Sequence, residues 1–221
     1  MTDRFKRDRR RMLDRLRTEG IEDLAVLHAF DVVPRHAFVP DEMHHHAYDM
    51  EPLPIGHGQT ISSPLIHALS LVLAGVQEGD RVLEVGTGSG FQTALLASLG
   101  ARTWSIERIE ELSRRAGEAL ARLGFEAELA VGDGSLGWPE HGPYDAIIVG
   151  AAAAQVPGAL LAQLAEAGRL IVPVGESRQA LYRITRHGDE FRRQRITGAR
   201  FVPLIEGRST TDDDSTGRSA G

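Results

Sequence analysis

The sequence predicts an α/β fold with a doubly wound, mostly parallel seven-stranded sheet, helices on both faces, and an antiparallel C-terminal hairpin. Three observations predict it. First, the apolar residues Val82, Leu83 and Val85 run into three glycines at every second position, Gly86, Gly88 and Gly90, and a helical pattern follows from Phe91. Second, strand-like and helix-like stretches alternate from there to residue 174, the pattern of repeated crossover units in a parallel sheet. Third, two further strand-like stretches flank His187-Gly188-Asp189, a hairpin signal.

Taken in order, residues 4–17 set Phe5, Met12, Leu13 and Leu16 among arginines at amphipathic spacing, which suits a helix. Asp8 and Asp14 interrupt the basic run, so a solvated helix face explains it better than a nucleic-acid surface. A second helix is expected over 23–30, ended by Val33-Pro34. Residues 34–64 hold five prolines and little periodicity, and a loop of that length inside a compact domain usually serves a site. A helix over 65–74 precedes the central strand. Strands are then expected at 102–106, 126–131, 144–149 and 168–174, with helices at 109–123 and 156–164. The hairpin strands are expected at 179–186 and 190–201. Residues 1–207 are read as one domain, in which 1–63 supply N-terminal helices and a ligand loop and 64–207 the α/β core. The polar stretch 208–221 reads as a disordered tail.

With 221 residues the chain can bury a sizeable core. A net charge of −6 gives no electrostatic basis for nucleic-acid binding, and the lack of cysteine removes disulfides, thiolate metal sites and cysteine nucleophiles. The first eleven residues lack the apolar core of a secretory signal, and no window approaches the roughly 20 apolar residues of a membrane span. The expectation is a cytoplasmic monomer without nucleic-acid or membrane partners. The run His44-His45-His46 is read as a surface feature, not a metal site, because adjacent side chains diverge.

The glycine turn constrains the ligand. A pyrophosphate cradle wants G-x-G-x-x-G, and Phe91 occupies the slot of the third glycine. Glu84, just before the turn, would repel a phosphate and attract a cation. S-adenosylmethionine, with a sulfonium, an ammonium and an adenosine, fits both conditions. Ligands of such sheets sit at the carboxyl ends of the strands, where three acids fall: Glu84, Glu107 and Asp133. Glu107, seventeen residues past Gly90, stands where a carboxylate takes ribose hydroxyls, and Asp133 where a side chain meets an adenine amino group. A second polar loop holds Gln59, Thr60 and Ser62.

The runs P-L-P-I-G-H-G-Q-T-I-S (52–62), E-V-G-T-G-S-G-F-Q (84–92), G-D-G (132–134), Y-D-A-I-I-V (144–149) and F-V-P-L-I (201–205) resemble the protein-L-isoaspartate O-methyltransferase family. The resemblance implies a Rossmann-like S-adenosylmethionine-dependent methyltransferase fold. It implies methyl esterification of the α-carboxylate of L-isoaspartyl residues in damaged proteins and peptides. It places Ser62 as the active-site residue. Together with the reading of the glycine turn and strand ends, it gives as cofactor candidates Gln59, Thr60, His67, Glu84, Gly86, Thr87, Gly88, Gly90, Glu107, Arg108, Asp133 and Gly134. The substrate candidates are Ile55, Ser62, Val202 and Leu204, the last two in a segment that closes over the substrate. Where the family usually carries tyrosine, this chain has His57 and Phe91. Two other readings stay open at this point: a methyltransferase for another carboxylate, and a non-catalytic cofactor-binding module.

Overall fold

The computed structural model describes residues 3–198, 200–205 and 207. Helix α1, Asp3–Thr18, buries Met12, Leu13 and Leu16 and turns most of its arginines to solvent. Helix α2, Leu24–Val32, begins at Asp23, whose carboxylate accepts hydrogen bonds from the N–H groups of Ala25 and Val26.

The stretch expected as loop is more ordered than its prolines suggest. It holds two 3-10 turns, Arg35–Phe38 and Asp41–Met43, and a small hairpin of β1, Leu53–Gly56, and β2, Gln59–Ile61. His57 and Gly58 connect the strands with φ of 53° and 66°, the left-handed pair that a two-residue hairpin turn requires. Strands of four and three residues leave almost no periodicity to read. Pro54 is tolerated because a two-stranded ribbon consists of edges.

Helix α3, Pro64–Ala74, leads to β3, Arg81–Val85, α4, Phe91–Ser98, and β4, Arg102–Glu107. Then come α5, Glu110–Leu123, β5, Glu128–Val131, and β6, Tyr144–Val149. Helix α6, Gly158–Ala162, and strands β7, Leu164–Val174, β8, Ala180–His187, and β9, Glu190–Gly198, complete the described fold. The seven-stranded sheet runs β5-β4-β3-β6-β7-β8-β9, parallel from β5 to β7 and antiparallel at β8 and β9. Two expectations are corrected. The helix expected over 156–164 is only Gly158–Ala162, because Leu164 already pairs with Tyr144 and the extra residues before Arg169 form an irregularity in the ladder. The last strand stops at Gly198, which leaves Phe201 beyond the sheet. The stretch 208–221 lies outside the described residues.

Alternation along the strands builds two cores. Val82, Ala146, Ile148, Ile171 and Leu181 pack with helices α1 to α5. Leu83, Val85, Ile147, Val149 and Val172 pack on the opposite face with Leu160 of α6 and the half-buried Trp138. Burial on both faces is why β3 reads as a nearly continuous apolar run. From β3 the chain steps to β4 and β5 on one side, then returns across to β6 on the other. The crevice at that reversal, outside the carboxyl ends of β3 and β6, is where such sheets bind ligands.

Candidate active site

Three connected spaces open at this crevice, and Thr60 and Gly150 line all three. The hairpin places Thr60, since Pro54 pairs with it in the ribbon. Gly150 follows β6 and donates its N–H to the Val85 carbonyl at 2.8 Å.

The first space is a cleft lined by Gln59, Thr60, Gly86, Gly88, Glu107, Arg108, Gly134 and residues 202–205. Glu107 ends β4, and its two oxygens accept the N–H of Gly88 at 2.9 Å and the N–H of Ile109 at 3.0 Å. One carboxylate thus joins the glycine turn to the start of α5. Gly88 sits at φ 53°, and a Cβ there would stand 3.5 Å from the Ile55 side chain. Gly90 faces away from the cleft; a Cβ there would stand 3.0 Å from Ala116 Cβ, so this third glycine lets α4 approach α5. Asp133 accepts from the N–H and hydroxyl of Ser135 and, at 2.7 Å, from the N–H of Gly207. Partial burial opposes its ionisation, but these bonds and the charge of Arg108 outweigh it and hold the carboxyl below the usual range.

The second space is a small polar chamber behind the turn, bordered by Ser62, His67, Ser70, Glu84, Thr87 and Gln92. Glu84 is 1% exposed and accepts hydrogen bonds from the hydroxyls of Thr93 at 2.5 Å and Ser105 at 2.8 Å. Burial pushes its carboxyl up to about 7 despite these donors. His67 pairs Nδ1 with the Gln92 side-chain oxygen at 3.0 Å, while its Nε2 is buried without a partner. Burial, reinforced by the charge of Arg35, lowers His67 to about 3, so the ring is neutral.

The third space is an outer pocket of about 610 Å³ lined by Met50, Pro52, Ser62, Ile66, Arg200, Phe201 and Val202. The neighbouring serines have different surroundings. Ser63 Oγ accepts the N–H of Ile66 at 3.4 Å and caps α3. Ser62 makes no such cap, and its carbonyl accepts from Arg35 Nη2 at 2.7 Å. A strap formed by residues 201–205 roofs the crevice. Ala152 N–H donates to Val202 O at 2.8 Å and Leu204 N–H to Ala152 O at 2.7 Å, while Gln179 bonds the Phe201 backbone from both sides.

Of the expected residues, Gln59, Thr60, Gly86, Gly88, Glu107, Arg108, Gly134, Val202 and Leu204 line the first cleft. Ser62, His67, Glu84 and Thr87 border the chamber behind it. Asp133 stands beside Gly134 and holds Gly207. Ile55 is 2% exposed and packs near Gly88, away from the outer pocket. The sequence reading missed Arg35, Gln92, Gly150 and Arg200. Gly150 carried a signal as a glycine directly after a buried strand, and Gln92 as the last residue of the family-like run 84–92.

A doubly wound sheet with an acid-rimmed glycine turn at its reversal, and no third glycine for a pyrophosphate, defines a methyltransferase of the Rossmann-like class. Similarity to known proteins narrows the class. The sequence profile described as protein-L-isoaspartate(D-aspartate) O-methyltransferase matches residues 7–209. The chain is 51% identical to a protein-L-isoaspartate O-methyltransferase of Halorhodospira halophila, over 92% of this chain and 94% of that one. It is 46% identical to the protein of that name from Dictyoglomus thermophilum, over 92% and 93%. A Plasmodium falciparum chain, described as a protein-L-isoaspartate O-methyltransferase and crystallised with S-adenosyl-L-homocysteine, superposes with a TM-score of 0.78 at 30% identity, over 88% and 96%. The chain belongs to the protein-L-isoaspartate(D-aspartate) O-methyltransferase family.

Proposed function

We propose that this protein transfers a methyl group from S-adenosylmethionine to the α-carboxylate of L-isoaspartyl residues in damaged proteins and peptides. The observation that carries the reading is the sharing of Thr60 and Gly150 between the acid-rimmed cleft and the Ser62 pocket, so that a nucleoside held in the first would lie against a peptide held in the second. The cleft fits the cofactor chemically. Gly88 leaves its backbone open to close approach, Glu107 suits ribose hydroxyls, and Asp133 with Gly134 suits the adenine end. Glu84, buried behind the turn with its carboxyl raised to about 7, would be drawn toward its ionised form by the cationic end of the bound cofactor. The bound cofactor supplies an electrophilic methyl group.

The residues of the chain do the rest. A peptide α-carboxylate has a pKa near 3.5, so it is already ionised at neutral pH. It becomes a neutral methyl ester, no proton moves, and no general base is required. The task left to the protein is alignment, which is worth several orders of magnitude in rate. Ser62, which lines the outer pocket, donates a hydrogen bond to the carboxylate in this reading. Phe201 and Val202 line one side of the pocket, and a substrate seated against them would displace water, which favours a step that neutralises charge.

We take residues 1–207 as one working domain and a monomer as the working unit. We place it in the cytoplasm on its cysteine-free, net-negative composition, without nucleic-acid partners. Among the described residues no helix is long and apolar enough to cross a membrane. The test is transfer of labelled methyl to an isoaspartyl peptide and to its normal aspartyl counterpart. Transfer to the first alone is expected; equal transfer to both, or to neither, would reject the reading.

A further inference from the structure

Arg35 is among the largest fully buried side chains of the described residues, at 0% exposure. Its Nη2 donates to the Ser62 carbonyl at 2.7 Å, and its guanidinium lies 4.8 Å over the Phe91 ring. Its Nε and Nη1 have no hydrogen-bond partner among the described residues, and no carboxylate is among the groups that act on its charge. Burial lowers its pKa only to about 9, so it stays a cation at neutral pH. A buried, unpaired cation is costly to maintain, and its cost is offset when an anion arrives nearby. Its hydrogen bond goes to the backbone of the residue that faces the outer pocket.

We propose that Arg35 is the positioning residue and fixed counter-charge for the substrate carboxylate, acting from behind the loop through Ser62. This rests on the function proposed above. The Arg35 bond fixes the carbonyl of Ser62, the β1–β2 ribbon fixes Ile61, and the Ser63 cap fixes the start of α3. The backbone of Ser62 is left held by three anchors. The cation favours the carboxylate that enters and has no such hold on the neutral ester that leaves. Arg35 therefore promotes substrate capture and product release together. The neighbouring His67, neutral and bonded to Gln92, adds no competing charge.

The experiment compares an isoaspartyl peptide with the same peptide carrying a carboxamide in place of the α-carboxylate, as competitive ligands. The proteins are wild type, Arg35→Met and Arg35→Lys. Wild type is expected to bind the acid at least tenfold more tightly than the amide. Arg35→Met should lose most of that preference, raising KM for the acid about tenfold with a smaller change in kcat and with cofactor affinity intact. Arg35→Lys should recover a good part of the preference. A merely structural role would weaken acid and amide alike. If Arg35→Met does not fold, wild type and Arg35→Lys still decide: absence of an acid preference in wild type overturns the proposal, as does its complete loss in a folded lysine variant. Wild-type transfer to the isoaspartyl peptide with an unchanged acid preference in Arg35→Met sinks the Arg35 role alone. No wild-type transfer at all sinks the functional reading and this inference with it.

Discussion

The backbone N–H of Gly88 donates to the carboxylate of Glu107 at 2.9 Å. The other oxygen of Glu107 takes the N–H of Ile109 at 3.0 Å. A single side chain at the end of β4 therefore sets the shape of the turn after β3 and fixes the start of α5. Strand, turn and helix are tied before any ligand arrives, which is the preorganisation a tight site needs.

Replacing Glu107 with Gln tests this tie. Each carboxylate oxygen accepts one N–H, so the amide must set its own NH₂ against one of the two donors. Leaving a buried N–H without an acceptor costs about 1–3 kcal/mol. The melting temperature should fall by several degrees, and cofactor affinity should drop about tenfold or more. Calorimetric melting and titration with S-adenosylhomocysteine measure both. Unchanged values in the two experiments would remove Glu107 from the site.

Gly88→Val tests the turn itself. At φ 53° a β-branched residue is strained, and its Cβ would project toward Ile55 at 3.5 Å and narrow the approach to the backbone. Cofactor binding should fall below detection by titration while far-ultraviolet circular dichroism retains the native signal. A folded variant that binds normally would show that the ligand approaches elsewhere.

Much of this site was legible in the sequence, for physical reasons that differ by residue. Glu84, Gly86, Gly88 and Glu107 were readable because period-two strands end at definite points and ligands gather at those ends. Gly90 looked like their equal in the sequence, yet it serves the contact of α4 with Ala116, because spacing does not reveal which way a glycine faces. Ser62 and Ser63 could not be separated by pattern; the cap of α3 separates them. Arg35 stands at the start of the stretch that resembles the family, but its burial carried no signal, since arginine is ordinarily exposed and its burial depends on Phe91, fifty-six residues away, and on the fold around both. The β1–β2 hairpin was hidden because its strands are too short to show alternation.

Glu84 makes stability depend on pH in a direction opposite to most carboxylates. Its folded pKa is raised to about 7 from 4.5, so the native state holds a proton that the unfolded state has lost between those values. Its stabilising contribution is complete below about 4.5 and is lost as pH rises through about 7. His67 runs the other way: with a folded value of about 3 against 6.5, its contribution is present above 6.5 and lost as pH falls toward 3. His36, lowered to about 4 chiefly by burial, follows the same sense. Comparing Glu84→Gln with wild type cancels both histidines. The variant should gain relative stability between pH 4.5 and 8 by an amount on the order of 3 kcal/mol, since each tenfold change in proton affinity corresponds to about 1.4 kcal/mol. Denaturant melts of cofactor-free protein across that range measure it. A flat difference would mean that Glu84 is ionised in the native state.

The two serines give the sharpest test of the mechanism. Ser62 borders the outer pocket and the chamber, whereas Ser63 Oγ caps α3 through the Ile66 N–H. Ser62→Ala removes one hydrogen bond to a charged group. It should raise the barrier to methyl transfer by about 1–3 kcal/mol while leaving cofactor affinity and melting temperature nearly unchanged. Ser63→Ala should do the reverse, costing about 1 kcal/mol of stability through the lost cap and little in rate. In wild type the rate should be flat from neutral pH upward until some group other than the substrate carboxylate titrates, because that carboxylate is fully ionised there. No methylated serine should accumulate, since the carboxylate oxygen itself takes the methyl group. Single-turnover rates on an isoaspartyl peptide, with mass analysis of the quenched protein, read all of these. Wild-type rates in Ser62→Ala would pass the task of holding the carboxylate to Ser63 or a backbone amide, and a trapped methyl-serine would overturn direct transfer.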